Sequence, residues 1–344
     1  MEAPPSQRVG PLAHLPAVLM DLDVSLDAAF AGSGLRPDQL QREARFPFPD
    51  LAALMERCAV VARCSHLGLL VGARSDQGAL GAIGEMMACA RTLGEALRAY
   101  VGLQIGYSRG AAVYLQRFGD DVLLGYGIYD PGVGPGRQVH DLVIALGCNM
   151  VRSLTGGRVQ PLRALVGAGV PESLVPYRKV LRTPLAFDQE QTAIVLARAD
   201  LDLPLPGADP VRHRALRAAI QRHVRGDLDD TAAQVRHVLR PRLMLGEADR
   251  ATVARELGVS PRTLARHLAR AGTSFEVIKD EMRFTVAREL LALTRLPIGR
   301  IAEALAYSAH STLDHAFLRW TGMAPSHWRT LNTESARRPD GIAI

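Results

Sequence analysis

The chain has 344 residues, 48% hydrophobic and 22% charged, which supports about two packed domains and excludes a disordered or fibrous protein. No apolar run approaches the roughly 18 residues of a membrane helix, and four cysteines without an N-terminal secretory signal predict a reduced cytoplasmic protein rather than a disulfide scaffold. The net charge of +6 lies entirely in residues 231–344, where 17 Arg and Lys accompany 11 Asp and Glu, so a neutral part precedes a basic part.

Residues 12–100 have the spacing of helices interrupted by Gly and Pro. Segment 51–64 is amphipathic, and so is segment 92–103. Thr92 is the expected N-cap of the second segment, and Glu95 is expected to complete a capping box with it.

The period then changes to that of strands. Residues 111–118 and 122–128 flank a short polar turn and predict a β-hairpin, and residues 138–154 predict a long helix. Two further short strands are expected within 161–167 and 192–196. These elements predict an α+β domain over residues 1–207, assigned to effector binding and dimerisation, followed by a helical connector over 208–234 that is broken at Gly226 and Asp227.

Residues 251–272 have the spacing of a helix-turn-helix. Ala254 is small where two helices would cross, Gly258 permits the left-handed turn, and Ser260 with Pro261 can begin the second helix. An ordinary helical hairpin with a basic outer face is the alternative. The side chains expected to meet DNA bases and phosphates are Ser260, Arg262, Thr263, Arg266, His267 and Arg270.

A second unit begins at Pro297, with Ala306 in the position of the turn glycine and a recognition helix over 310–320. Between the units, a helix over 276–293 carries one apolar stripe and would be roughly 27 Å long, close to one turn of DNA. The stripe consists of Ile278, Met282, Val286, Leu290 and Leu293. The expected DNA contacts of the second unit are His310, Ser311, Thr312, His315 and Arg319.

The segments GVSPRTLARHL, GTSF and IGRIAEALAYSAHSTLDHAFLRWTGMAPSHWR resemble the DNA-binding domain of AraC/XylS-family bacterial transcription regulators. TLGEALRAY and LAFDQEQTAIVLARADLDLPLPGADP resemble the N-terminal domain of the subgroup related to ornithine-utilisation regulators. The resemblance implies an all-α domain with two helix-turn-helix units over 235–331, followed by a tail over 332–344. It also implies a cytoplasmic activator, often a homodimer, that is controlled by a small effector and acts with RNA polymerase on double-stranded operator DNA.

The second unit departs from the family pattern at three positions. Ala306 replaces the usual glycine, Leu313 stands where an aromatic residue is common, and His315 stands where an arginine is frequent. Neutral histidine is a weaker donor than arginine at pH 7. The first unit is therefore expected to dominate sequence reading, while the second positions the protein on the DNA backbone.

Other residues suggest sites that the pattern does not support. Cys58, Cys64 and His66 lack a fourth metal ligand, so buried thiols are expected, with no metal and no cofactor. The glycine-rich segment 125–136 is predicted to be an exposed loop or a lid. The candidate effector contacts are Tyr129, His140, Asn149 and Arg152. For Asn149 and Arg152 the alternative is an ordinary structural hydrogen bond.

Three hypotheses follow from these features. A neutral domain joined to a basic helical one favours an effector-controlled transcription regulator. The alternatives are an enzyme or ligand-binding protein with a basic helical tail, and an architectural DNA-binding protein without an effector. The neighbours His140 and Asp141 would point to different helix faces, and no nucleophile with a matching base is apparent, so no enzyme is expected.

Overall fold

Helices fill most of the first hundred residues, as predicted. The computed structural model describes residues 6–106, 108–224 and 230–335. The N-terminal helices are α1 (Leu15–Asp21), α2 (Leu26–Phe30), α3 (Phe48–Val61), α4 (Leu67–Ala73), α5 (Ala82–Ala88) and α6 (Leu93–Leu103). The Thr92 hydroxyl accepts the Glu95 N–H and caps α6. The Glu95 carboxylate accepts the N–H of Arg91 rather than that of Thr92, so only half of the predicted capping box forms.

A five-stranded sheet follows, with the strand order β3-β4-β7-β5-β6. Its strands are β3 (Ala111–Phe118), β4 (Asp121–Ile128), β5 (Arg163–Leu165), β6 (Leu185–Ala186) and β7 (Thr192–Leu196). The predicted hairpin is confirmed: Phe118 pairs with Asp121, so two residues make the turn, and Gly119 has φ +61°. Strand β7 is antiparallel to both of its neighbours, and β6 is parallel to β5.

Four short elements were not predicted. Strands β1 (Ser6–Arg8) and β2 (Arg45–Pro47) form a separate antiparallel pair, and β6 has two residues. Helix α8 (Val175–Leu181) also escaped prediction. Segments of two to seven residues are too short to show a periodic pattern.

The long helix α7 (Arg137–Leu154) packs closely against α4 and confirms the predicted helix over 138–154. Two glycines of α4 make this approach possible. A Cβ at Gly68 would lie 2.0 Å from the Gln138 carbonyl oxygen, and one at Gly72 would lie 2.3 Å from that of Leu142. Close backbone contact therefore fixes α7 between the N-terminal helices and the sheet.

All regular structure described after residue 209 is helical. The helices are α9 (Pro210–Val224), α10 (Thr231–Met244), α11 (Arg250–Glu256), α12 (Pro261–Arg270), α13 (Phe275–Leu293), α14 (Ile298–Ala304), α15 (His310–Thr321) and α16 (Pro325–Ser335). The predicted break at Gly226 and Asp227, and residues 336–344 of the predicted tail, lie outside the described residues. The predicted fold class, an α+β domain followed by an all-α domain with two helix-turn-helix units, is confirmed. Within the described ranges, no helix is long and apolar enough to cross a membrane.

Candidate nucleic-acid interface and ligand cavity

The first helix-turn-helix unit consists of α11 and α12, joined at Gly258 with φ +69°. The Ser260 hydroxyl accepts the Thr263 N–H at 3.1 Å and caps α12, which begins at Pro261. The inner side of the unit is fully buried and consists of Val253, Ala254, Leu264 and Leu268. These apolar contacts fix the angle at which α12 leaves the domain.

The outer face of α12 is strongly basic. Arg262, Arg266 and Arg270 are exposed and follow one another at four-residue intervals, so they lie on one side of the helix. Within the described ranges, none of these guanidinium groups has a hydrogen-bond or ion-pair partner. Thr263 and His267 are half-buried on the same helix. The structure thus brings all six predicted contacts of this unit onto α12 and its N-cap.

The second unit consists of α14 and α15, and its turn residue Ala306 has φ +56°. The N-cap of α15 is Ala309, which supplies no side-chain hydrogen bond. The predicted contacts His310, Ser311, Thr312 and His315 are exposed on the first turns of α15. Arg319 is engaged differently: its Nη2 donates to both carboxylate oxygens of Asp280 at 2.9 and 2.8 Å.

Several residues of the C-terminal resemblance attach the second unit to α13. The Trp320 indole donates to Asp280 at 2.8 Å, and the buried Phe317 ring packs against Phe284 and Trp328. Arg329 donates to the Leu296 carbonyl oxygen at 2.7 Å. Arg283 of α13 also donates to the carbonyl oxygens of Leu305 and Ala306 at the turn, and its guanidinium lies 4.3 Å from the centre of the Tyr307 ring.

The linking helix α13 carries the predicted apolar stripe. Ile278, Met282, Val286 and Leu290 are buried, and Leu293 at the end of the helix is half-buried. Its 19 residues correspond to about 28 Å. A second buried strip on α13, formed by Thr285 and Glu289, is polar and was not predicted.

Glu289 lies in an interface between the two domains, which we call the domain interface. The fully buried Arg240 of α10 donates from Nε to the Ile128 carbonyl oxygen of β4 at 2.9 Å, and its Nη2 lies 3.4 Å from both oxygens of Glu289. Gly127 makes room for this arginine, since a Cβ there would lie 2.7 Å from the Arg240 Cζ. His140 Nε2 of α7 lies 3.5 Å from the same carboxylate, and burial lowers the pKa of this histidine.

Sequence reasoning missed Arg240 and Glu289. The available signal was the position of Glu289, three residues after Val286 and four before Leu293, which places a carboxylate beside the apolar stripe of this helix. The neighbours His140 and Asp141 do point apart, as predicted, because Asp141 accepts hydrogen bonds from Tyr177 and Arg137.

The glycine-rich segment is not the exposed loop that was predicted. Its first four residues belong to β4, and Tyr129, Asp130 and Val133 are buried. Arg288 of α13 donates to the carbonyl oxygens of Pro131 and Val133 at 2.7 and 2.6 Å. The loop is therefore a second part of the domain interface.

The N-terminal domain contains a cavity of about 90 Å³ between α3, α7 and the sheet, which we call the α7 cavity. Its walls are mainly apolar. They include Phe48, Leu51, Val139, Ile144, Met150 and Ile194. Gln7, Gln104 and Ser108 supply polar atoms at the wall, and among the described residues that line the cavity none is charged.

None of the four predicted effector contacts lines the α7 cavity. Tyr129 packs at the domain interface with its ring perpendicular to that of His237, and His140 faces Glu289. The Asn149 amide donates to the carbonyl oxygens of Ala73 and Ser75, and its oxygen accepts from Arg152.

Asn149 and Arg152 thus form structural hydrogen bonds, the alternative considered for these two residues. Asn149 and Arg152 border an open hollow at the end of α7 rather than an enclosed site.

The cysteines do not form a metal site with neighbouring residues. Within the described ranges, no group of three or more metal-ligating side chains comes together. All four cysteines are free and buried, and burial raises the pKa of the Cys58 thiol to about 11. The expectation of buried structural thiols is confirmed.

Both the N-terminal and the C-terminal part of the chain match known protein families. Residues 24–205 match the arabinose-binding N-terminal domain of AraC transcription regulator, and residues 253–330 match a helix-turn-helix domain. The chain is 26% identical to the ornithine utilization regulator of Pseudomonas aeruginosa over 93% of its own length and 96% of that protein. It is 26% identical to the HTH-type transcriptional regulator VirS of Mycobacterium tuberculosis over 86% and 88% of the two chains.

Two further proteins are similar to this chain, one in part of its sequence and one in its structure. An uncharacterized HTH-type transcriptional regulator of Mycobacterium tuberculosis is 36% identical over 158 residues, which is 45% of this chain and 44% of that protein, so the chain matches less than half of that relative. The crystal structure of the transcriptional regulator CdpR from Pseudomonas aeruginosa aligns with 93% of this chain and 97% of its own, at 23% identity and a TM-score of 0.47.

Proposed function

The chain belongs to the family of AraC-type transcription regulators, and on this premise we propose that it is an effector-responsive, sequence-specific activator that acts on operator DNA in the cytoplasm. The observation that carries the proposal is the row of exposed arginines on α12, which have no partner within the described ranges. The matched families and relatives are transcription regulators, so the enzyme hypothesis is abandoned.

The proposed division of the chain is an effector and dimerisation domain over 1–207, a connector over 208–234, a DNA-binding domain over 235–331 and a tail over 332–344. A homodimer formed through the first domain and contact with RNA polymerase are proposed from the family alone.

In the proposed complex, α12 enters the major groove and α15 approaches the next groove segment on the same face of the duplex. Arginine can donate two hydrogen bonds to the O6 and N7 atoms of guanine, which no other base pair presents in the same pattern. The length of α13, about 28 Å, is close to the roughly 34 Å of one DNA turn. The spacing of the two contacted DNA segments is therefore set by α13.

The proposed response to an effector passes through the domain interface. Helix α7 and strand β4 both line the α7 cavity, and both also contribute to the domain interface through His140 and the Ile128 carbonyl group. Glu289, which they face, lies on the helix that joins the two DNA-binding units. A ligand that moves α7 or β4 would thus change the position of α13, because packed interiors transmit small displacements.

Selection of a random duplex library with the full chain tests the DNA-binding proposal. We expect enrichment of a defined sequence, a footprint with two contacted segments about one helical turn apart, and an affinity that falls steeply with salt. Equal affinity for all duplexes would support the architectural alternative instead.

A double-mutant cycle tests transmission through the domain interface. Gly147 lines the α7 cavity, and a Cβ there would be in ordinary contact with Ile194 Cδ1 at 3.8 Å, so Gly147→Leu fills the cavity. We expect this variant to change operator affinity in the natural chain. We expect no change in a background of Arg240→Met and Glu289→Met, where the buried ion pair is replaced by apolar side chains of similar length. The same change in both backgrounds would contradict the proposed route.

A further inference from the structure

The turns of the two helix-turn-helix units have the same backbone hydrogen bonds. In each, the N–H of the turn residue, Gly258 or Ala306, donates to the carbonyl group three residues earlier, at 3.1 and 2.9 Å. The N–H of the next residue donates to the carbonyl group five residues earlier, at 3.0 and 2.9 Å. The first unit reaches this geometry with a glycine and a capping Ser260, and the second reaches it with two alanines, Ala306 and Ala309. The local sequence of the second unit therefore favours the shared turn less.

One side chain from outside the second unit holds its turn. Arg283 of α13 donates from Nε to the Leu305 carbonyl oxygen at 3.1 Å and from Nη2 to that of Ala306 at 3.3 Å. Among the described residues, no backbone N–H donates to either oxygen. The guanidinium also lies 4.3 Å from the centre of the Tyr307 ring, which is within the range of a cation–π interaction. Three consecutive residues of the turn thus contact a single arginine.

The surroundings of Arg283 direct its charge to the turn. The side chain is half-buried and, within the described ranges, has no carboxylate partner. Its donors meet carbonyl oxygens at the end of α14, which carry partial negative charge and bind a cation more strongly than a neutral donor. The arginine that α10 directs toward the first unit behaves differently, since Arg242 Nε donates to the Glu256 carboxylate at 2.9 Å. An arginine thus holds the turn itself in the unit whose local sequence is weaker.

From these contacts we infer that Arg283 is a positioning residue for DNA binding by the second unit. It fixes the turn over 305–307, so that α15 presents its exposed first turns to the DNA, and it replaces the glycine and the capping serine of the first unit. The inference rests on the proposed DNA-binding function and assigns the side chain on which the second DNA contact depends. Arg283 acts through the turn and makes no contact with DNA itself.

Hydroxyl-radical footprinting of the full chain on its selected operator tests this role. Arg283→Met keeps an apolar stem of similar length and removes both hydrogen bonds to the turn. We expect this variant to lose protection of the DNA segment that faces α15 and to keep protection of the segment that faces α12. Protection of both segments at the level of the natural chain would overturn the inference.

Lys279→Met is the matched control. Lys279 lies one helical turn earlier on α13, is also half-buried, and has no hydrogen-bond or ion-pair partner within the described ranges. Its substitution removes the same charge from the same helix without touching the turn. Both DNA segments should stay protected in this variant. An equal loss of the second segment in both variants would show a general effect of charge and would overturn the inference.

A rescue experiment separates positioning from direct contact with DNA. Ala306→Gly and Ala309→Ser give the second turn the glycine and the capping side chain that the first unit has. Added to Arg283→Met, these two changes should restore protection of the second segment, because the turn no longer needs the arginine. Absence of rescue would mean that Arg283 contacts the DNA itself and would overturn the inference. If Arg283→Met loses both segments through unfolding of the helical domain, their return in the triple variant supports the same role.

The natural chain shows which proposal has failed. A natural chain that protects no defined DNA segment contradicts the proposed function, whatever Arg283 does. A natural chain that protects both segments, together with an Arg283→Met variant that does the same, retains the proposed function and loses only the role of Arg283.

Discussion

Gly258 forms the turn of the first helix-turn-helix unit and Ala306 forms that of the second, and both residues adopt positive φ angles, +69° and +56°. The helix that follows begins at the capping side chain of Ser260 in the first unit, and at Ala309, which provides no cap, in the second. The second unit therefore has the less favourable local sequence for the same backbone path.

The two units also differ in how they use their polar side chains. Arg266 in the first faces solvent and has no described partner, whereas Arg319 in the second is held by Asp280 of α13. Trp320 and Arg329 add hydrogen bonds between the second unit and the α13 region. This difference indicates that contacts with α13 compensate for the weak turn of the second unit, and that the first unit retains more side chains for DNA.

The largest expected effect comes from a charge in the stripe that supports both units. Met282 is 1% exposed, and Met282→Asp would bury a carboxylate without a partner, at a cost of about 4 kcal/mol or more in the free energy of unfolding. We expect both DNA contacts to be lost together with folding of the helical domain, as measured by thermal unfolding and gel shift. Val277→Asp on the same helix is the control, since Val277 is 49% exposed and should tolerate the change. Equal behaviour of the two variants would contradict the role of the stripe.

The next largest expected effect distinguishes the DNA contacts of the first helix-turn-helix unit from those of the second. Arg266→Ala should weaken operator binding by about 1–3 kcal/mol, or roughly 5- to 150-fold, if the arginine reads a base. His315→Ala, at an exposed position of α15, should change affinity less than about threefold, because one hydrogen bond from a histidine contributes less free energy than the two that an arginine donates to a guanine. Both variants should keep the melting temperature of the natural chain. A larger loss for His315→Ala would reverse the proposed division between reading and positioning.

A smaller effect concerns the ion pair between the second unit and α13. Arg319→Ala should lower stability by at most about 1 kcal/mol, and Asp280→Ala should lower it more, because Asp280 also accepts a hydrogen bond from Trp320. The double variant should lose no more than Asp280→Ala alone, because Arg319 acts through Asp280. Chemical denaturation of the three variants measures this coupling. If Arg319 reads DNA instead, Arg319→Ala should weaken operator binding well beyond Asp280→Ala.

These contrasts also show what local sequence can predict. The recognition helix α12 and its cap were predictable because Ser260, Pro261 and the spacing of Leu264 and Leu268 act within one or two helical turns. The same holds for the hairpin and for the stripe on α13. The pairing of Arg319 with Asp280 was not predictable, because the partners are 39 residues apart on different helices.

The domain interface escaped prediction for a related reason. Glu289 and Arg240 lie on two helices of the C-terminal domain, and they meet Ile128 and His140 only because the N-terminal domain docks against those helices. A single buried charge in the sequence carries no information about such distant partners. The glycine-rich loop was predicted to be exposed from its composition alone. In the structure, the side chain of Arg288, more than 150 residues away, satisfies its carbonyl groups.

The smallest expected effect is a change in stability caused by substitutions at the two turn residues, Gly258 and Ala306. An L-residue with a side chain at positive φ is disfavoured by about 1–2 kcal/mol, while glycine adopts this conformation freely but is more disordered when unfolded. A Cβ at Gly258 would contact nothing within 4 Å, so Gly258→Ala should cost only the backbone term, about 1 kcal/mol. The reciprocal Ala306→Gly should stabilise the second unit by about 0.5–1 kcal/mol, and the two changes combined should nearly cancel in a denaturation experiment, since the sites are distant. Destabilisation by Ala306→Gly would mean that the Ala306 methyl group contributes packing that outweighs the backbone strain, and the second turn would then not be the weaker one.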